Sequence, residues 1–517
     1  LLLLPIAGVI TLLFLRHPAA CRWVALGVSL GTFLFSLSLL IPFDWHRGTI
    51  YGYRSEGGSM QLVHGVMLIR SINLHFKLGV DGLSLPLIFL TAFIMPVVIT
   101  ASWKIEKRVR SYLALLLILE ANLLAAFLSI DLLQFYFFTE MSLIPIFILI
   151  GIWGGPRRRR AVVKFILCKV AGSIALLIGI IGLYLHSRRI VPSGSFDLIL
   201  LANPKFAYPL AGINGLFLLV MAGFLVPLPT LLFHSWLPDA HTEAPAPISM
   251  ALAGVVQSLG GYGILRLAYP LFPQAARSLW LVFALLGVLT LIYGSLCAMA
   301  QTDFKRLIAF SSLSQMGLIL LGISTMTPAG INGAMFMIIA NGLIGALLFF
   351  IVGIIHDRVK HHDINRLGGL AAAMPIYTSF SIVAFLASLG LPGLCGFVGQ
   401  VLVILGTFQA ARPDGVLYQH ALATGGLSRY LVWLRIIAIA ACASTILTAG
   451  STLWALQRIY YGPKRPDPES LADINLLELV VLLPLTIVIV LLGIMPGILV
   501  FTLSNPTIAA LLRLFWR

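Results

Sequence analysis

The sequence predicts an all-α polytopic membrane protein, on three observations. Of its 517 residues, 60% are hydrophobic and only 10% charged, and the mean hydropathy is +1.02. A soluble domain carries roughly 25% charged residues and at most about half apolar ones. Apolar runs of bilayer length recur from end to end, giving about 14 candidate spans. The strand alternation and aromatic girdles of a barrel are missing, so the spans are helices.

The first span is Leu1 to Leu15. Without a basic leader it reads as a first helix, not a signal peptide. After the second span comes a polar segment, Asp44 to Lys77, too long for a tight turn and expected on the outer surface. The third span starts at LGVDGLSLPL, with Asp81 at its mouth. Spans four to six cover about Ser111 to His186, and two of them carry acids. Glu120 lies in SYLALLLILEANLLAAFLSI and Glu140 in LLQFYFFTEMSLIPIFILIGIW, with Asp131 between the two runs. An ionisable group at mid-bilayer costs several kcal/mol unless it is paired or wetted, so each acid is a candidate proton-handling group. A neutral, hydrogen-bonded structural carboxyl is the alternative.

Span seven, Gly212 to Trp236, contains Pro227 and Pro229. The stretch after it, HSWLPDAHTEAPAP, reads as an orienting loop with Trp236 as an interfacial anchor. Its His234, Asp239, His241 and Glu243 offer partners for helix ends, or line a proton funnel. A second interrupted helix runs from Ile376 to Phe408, broken at GLPGLCGFVGQ around Pro392 and Gly393. Two interrupted spans, five apart, suggest two repeats of five helices each; plain proline kinks are the alternative. The expected division is 1–110 (helices one to three and the surface segment), 111–270 (first repeat), 271–460 (second repeat) and 461–517 (last helix and tail).

The formal net charge is +16, but the basic residues sit in short loops, so nucleic acid is not the partner. They favour alternate loops: Lys104 to Arg110, Arg157 to Arg160, Lys305 with Arg306, Arg358 to Arg366, and Arg458 to Arg465. The positive-inside rule turns these loops to the cytoplasm or the mitochondrial matrix and both termini to the other side. Arg47, Arg54 and Arg70 in the early polar segment weaken that bias. The five cysteines are scattered and read as small hydrophobes, so no metal, haem or iron–sulfur site is expected. No nucleotide loop or nucleophile constellation points to an active site within the chain.

The stretches HSWLPDAHTEAPAP, FFTEMSLIPIFILIGIWGGPRR, LGVDGLSLPL, QTDFKRLIAFSSLSQMG and LPGLCGFVG together resemble one family: the antiporter-like membrane-arm subunits of respiratory complex I, of the M or chain 4 type. The resemblance runs from about Leu78 to Tyr461. It implies 14 helices, two inverted five-helix repeats, discontinuous spans seven and twelve, and a proton path along the membrane midplane. It implies L-like and N-like neighbouring subunits in a bacterial or mitochondrial inner membrane. NADH, flavin, iron–sulfur clusters and quinone would belong to partner subunits, with none in this chain.

At the path itself the chain departs from the family. The family's span-five acid is kept as Glu140, but its lysine on broken span seven falls at Pro227 and its span-eight lysine at Ser258. Two family histidines fall at Gln315 and Asn341, and the span-twelve acid at Gln400. Asp81, Glu120, Asp131, Asp239, His241 and Glu243 match, as do Asp303, Lys305 and Arg306, expected in a surface loop. All five replacements are groups that do not titrate near neutral pH. Lys169, in span six, is a candidate substitute cation; a side chain snorkelling to the basic side is the alternative. Three roles stay open: a proton-translocating subunit with a rewired path, a non-pumping structural paralogue, and a subunit of a hydrogenase-linked or cation/proton antiporter assembly.

Overall fold

The computed structural model describes residues 1–43, 60–189, 192–202, 213–462 and 471–497, with 507–508 and 511–512. Arg47, Arg54 and Arg465 lie outside the described residues, as does most of the tail after 497. Among the described residues, eleven helices are long and apolar enough to cross a membrane, and four shorter apolar helices accompany them.

Only some of the helices begin at a capping side chain. The first six are α1 (Leu3–Phe14), α2 (Pro18–Leu37), α3 (Ser84–Ala101), α4 (Val109–Leu128), α5 (Leu132–Trp153) and α6 (Arg158–Ser187). Asp131 starts α5 by accepting from the amides of Leu133 and Gln134, which otherwise lack partners. The first interrupted span is α7 (Ile213–Leu225), an irregular stretch from 226 to 235, and α8 (Trp236–Glu243). Pro227 and Pro229 contribute no amide hydrogen to that stretch, so two rungs of the helix ladder are lost within three residues. Much of the predicted loop from His234 is helix, since the chain resumes a helical ladder at Trp236.

Helix α9 (Ala246–Leu271) follows at once, with two wide i→i+5 turns at Leu252–Val256 and Ile264–Ala268. Next come α10 (Trp280–Met299), α11 (Phe304–Ser324) and α12 (Pro328–Val359). The second interruption separates α13 (Pro375–Leu389) from α14 (Cys395–Gln409). Gly390 and Gly393 there take φ of 88° and 90°, a conformation that glycine adopts without penalty. The chain closes with α15 (Leu427–Tyr460) and α16 (Leu476–Ile494), the latter started by an Asn475–Glu478 capping box.

Burial sorts these helices. The most apolar windows of α9 and α12 are 100% buried and that of α11 is 94% buried, whereas α2 reaches 22% and α15 and α16 33%. The buried three form the centre; the others present apolar faces to lipid or neighbours. Close approach relies on small residues. A Cβ at Gly317 on α11 would meet the Gly287 carbonyl of α10 at 2.5 Å.

One feature lies outside the all-helical expectation. Part of the early polar segment is an antiparallel hairpin of β1 (Gln61–Ile69) and β2 (Leu74–Val80), turned at Asn73 with φ of 52°. Its alternation is hidden because β1 is exposed on both faces from Leu62 to Ile69, so no buried stripe marks it in the sequence.

Candidate proton-handling site

Glu140 projects from the middle of α5 into a small cavity of about 20 Å³, between α5, α6, α7 and α9. Lys169 of α6 lines the same cavity, with Ser173, Pro227 at the break and Val256. That volume suffices for one water. Among the described residues no direct ion pair joins the two charges. The Ser173 hydroxyl lies in the same wall, 2.9 Å from the Tyr136 hydroxyl. The ammonium of Lys169 lies 4.3 Å from the centre of the Trp236 ring and 5.8 Å from that of Phe165.

Two expectations are corrected here. Lys169 does not snorkel: it is only 5% exposed, because the aromatic pair on α6 and α8 holds its head inside the bundle. Trp236 is not an interfacial anchor. It is fully buried, with its indole N–H donating to the Val226 carbonyl at 3.1 Å, one of the acceptors freed by the helix break. In sequence, Trp236 looked like any aromatic at a span end.

The other path positions are neutral and mostly occupied. Ser258 follows the first wide turn of α9 and donates back to the Val255 carbonyl at 2.5 Å. Gln315 of α11 and Gln400 of α14 both donate to the Ser388 carbonyl, at 3.1 and 3.4 Å, so the two amides staple the α13–α14 break. Pro392 and Gly393 form the turn of that break. Asn341 on α12 is buried and its Nδ2 has no hydrogen-bond partner among the described residues. Glu120 is buried on α4 and accepts from Ser29 of α2 at 3.1 Å, away from Glu140. The structure thus brings Glu140 and Lys169 together with Pro227, but leaves Glu120, Asn341 and the Gln315–Gln400 pair at separate places.

The helix-end candidates divide similarly. Asp239 binds Lys164 at 2.8 Å and Arg306 at 2.7 Å, tying α6, α8 and α11. His241 is buried, stacked 4.2 Å over Phe349, and its Nε2 meets the Gln257 amide at 3.3 Å. Glu243 accepts from the Arg157 amide, and His234 contacts the Leu231 carbonyl through Nδ1. Asp303 caps α11. Lys305, expected in a surface loop, is only 5% exposed and donates to the Ala244 carbonyl at 2.7 Å, because the first turn of α11 tucks under the end of α8. Asp81 pairs with Arg266 of α9, whose Nε donates to the Tyr262 hydroxyl at 3.0 Å. Sequence reasoning missed Arg266, Gln257 and the histidines after α12. A lone arginine in GYGILRLAY was a signal for the first. Asp131 borders the hairpin; burial, opposed by its two capping amides, raises its pKa to about 6.

Residues 129–424 match the family model described as NADH:quinone oxidoreductase/Mrp antiporter, transmembrane, and residues 32–126 match NADH-ubiquinone oxidoreductase chain 4, amino terminus. The chain belongs to this family. It is 36% identical to NADH-quinone oxidoreductase subunit M of Rhodobacter capsulatus, over 96% of this chain and 92% of that one. It is 34% identical to F(420)H(2) dehydrogenase subunit M of Methanosarcina mazei, over 87% of each chain. Its fold superposes on a chain of respiratory complex I from Thermus thermophilus with a TM-score of 0.83 and 28% identity, covering 99% of this chain and 98% of that one. The family member described here is an integral membrane subunit of the M type.

Proposed function

We propose that the chain is the M-type membrane-arm subunit of a redox-driven, proton-translocating quinone reductase, and that its proton step runs through a rewired pair, Glu140 and Lys169. The redox cofactors and quinone belong to partner subunits, and L-like and N-like subunits flank it. The observation that carries the rewired pair is the shared cavity of Glu140 and Lys169 at the position where Pro227 stands on the broken helix. A proline offers neither a charge nor an amide hydrogen, so Lys169 approaches the acid from α6 instead. Burial disfavours both charges alone, and each favours the other, so protonation of one is coupled to the other. The amide staple of Gln315 and Gln400 carries no charge, which makes the second half a structural partner to the first. The division into two five-helix repeats, at 111–270 and 271–460, is part of this reading.

The test has two parts. The native complex, extracted gently and resolved by native electrophoresis, should contain this chain in a high-mass band with quinone-reductase components. In that complex Glu140→Gln should lower the protons moved per electron pair. A normal ratio would make the chain a non-pumping structural subunit. The similarity to the F(420)H(2) dehydrogenase subunit favours a second reading, in which the electron donor differs from NADH. The flavin and donor specificity of the purified complex decide between them.

A further inference from the structure

The last helix, α16, runs beside the second broken helix and is tied to it at both ends. At the basic end, Asp473, just before the cap of α16, accepts from the amides of Ile376 and Tyr377 at 2.8 and 3.0 Å. Those amides belong to the first turn of α13, where no helix carbonyl is in reach. Arg358, at the end of α12, fastens the same corner. It donates to the Ala472 carbonyl at 2.7 Å, to the Asp473 carbonyl at 3.0 Å and to the Glu478 carboxylate at 2.8 Å. Lys104, in the turn after α3, reaches Glu478 from the other side at 2.9 Å.

At the other end, Gly493 lies on the α13–α14 break itself. A Cβ there would meet the Gly393 carbonyl carbon at 2.5 Å, with the Gly393 oxygen and the Leu394 Cα closer still. All three are backbone atoms, so none can swing aside as the end of a side chain does. The break comes 15 residues after the start of α13. That is about 22 Å along the helix, inside a hydrocarbon core about 30 Å thick. Irregular backbone at that depth is tolerated only where protein or water surrounds it. Gln315 and Gln400 hold the Ser388 carbonyl from within the bundle, and α16, an outer helix, covers the turn from the flank.

We propose that α16 is a brace: it keeps the α13–α14 break shut throughout turnover and so seals the second half of the chain against proton leak. The proposal goes beyond the Glu140–Lys169 reading and does not depend on it. The ties at the two ends carry the argument. To open, the break must either drive Gly393 into the backbone of α16 or pull the first turn of α13 off Asp473. Ordinary close packing would need the first contact alone; fastening at both ends of one helix holds the length and direction of the other. Glu478 and Arg358 keep α16 from sliding, because both are anchored to α12 and the α3 turn. Alanine favours a helix over glycine, so Gly493→Ala strengthens α16 itself, and any loosening it causes comes from the contact with the break.

The chain carries its own reporter. Cys395 is the first residue of α14 after the break and is fully buried. Cys21, buried on α2, reports on the rest of the fold, and the half-buried Cys168, Cys297 and Cys442 show that the reagent reaches the bundle. The assembled complex in vesicles is treated with N-ethylmaleimide, at rest and during quinone reduction, and each cysteine is followed by mass spectrometry. In the unsubstituted complex Cys395 should stay unmodified in both states. Gly493→Ala should raise its modification rate at least about ten-fold, with Cys21 unchanged. The decay of an imposed pH gradient across the same vesicles should speed up with it, while the rate of quinone reduction holds. Asp473→Ala, which releases the other end, gives the same readout if Gly493→Ala fails to assemble. Modification of Cys395 during turnover of the unsubstituted complex shows that the break opens, and overturns the proposal. So does a variant in which Cys395 stays protected, or one in which Cys21 is exposed along with it.

Discussion

Replacing Lys169 by Met tests the rewired pair most directly. With one water between them, the two charged heads sit about 6 Å apart, two hydrogen-bond lengths. At an effective dielectric of about 20 their attraction is then about 3 kcal/mol. The Trp236 face adds up to about 2 kcal/mol for a desolvated ammonium. Lys169→Met removes both and leaves a half-buried carboxyl without its cation. Glu140→Gln removes only the pair attraction. The double variant leaves no stranded charge and should be less impaired than the sum of the two. Coupled turnover in vesicles gives the free energies, taken as RT ln of the rate ratios. We expect a coupling of about 2–3 kcal/mol, near a hundred-fold in rate, well above the ~0.5 kcal/mol additivity error. Coupling within that error refutes the pair.

Three other outcomes follow from the structure. Gln400→Leu removes one donor from the Ser388 carbonyl and should lower thermal stability of the complex by about 1 kcal/mol, with the protons moved per electron pair unchanged. Asp81→Asn or Arg266→Met should each cut assembled complex steeply on native electrophoresis, since stranding one buried partner costs about 3–5 kcal/mol; the double replacement Asp81→Leu, Arg266→Met should recover part of the yield. Asp131 has a folded pKa raised to about 6, above its ordinary value near 4, so its stabilising contribution is present below pH 4 and lost as pH rises through 6. Hydrogen exchange at residues 129–134, corrected for intrinsic rates, should therefore show protection falling over that window, and Asp131→Asn should flatten the change.

The helical membrane class was legible because transfer energies add along a run: 18 apolar residues are a span whatever surrounds them. The two interruptions were legible for a related reason. Proline and glycine act on their own backbone, and the clustered Pro227 with Pro229 and Gly390 to Gly393 around Pro392 mark the two breaks, whereas the single Pro96, Pro145 and Pro484 stay inside continuous helices. Caps at Asp131 and Asp303 are equally local. The hairpin was not legible, since a strand exposed on both faces leaves no periodic stripe.

What Lys169 does was beyond the sequence. Near a basic loop, the same side chain is as able to snorkel as to turn inward, and the choice depends on Trp236, 67 positions away along the chain. Lys305 looked like a loop residue until α8 was folded over it, and Gln315 and Gln400 become a staple only because α11 and α14 meet at one carbonyl. The sequence by itself determined which segments enter the membrane, where they break and which acids go with them, because those are costs each segment bears alone. Only the tertiary structure decided which buried charge faces which, because a pair energy depends on a distance that no single segment contains.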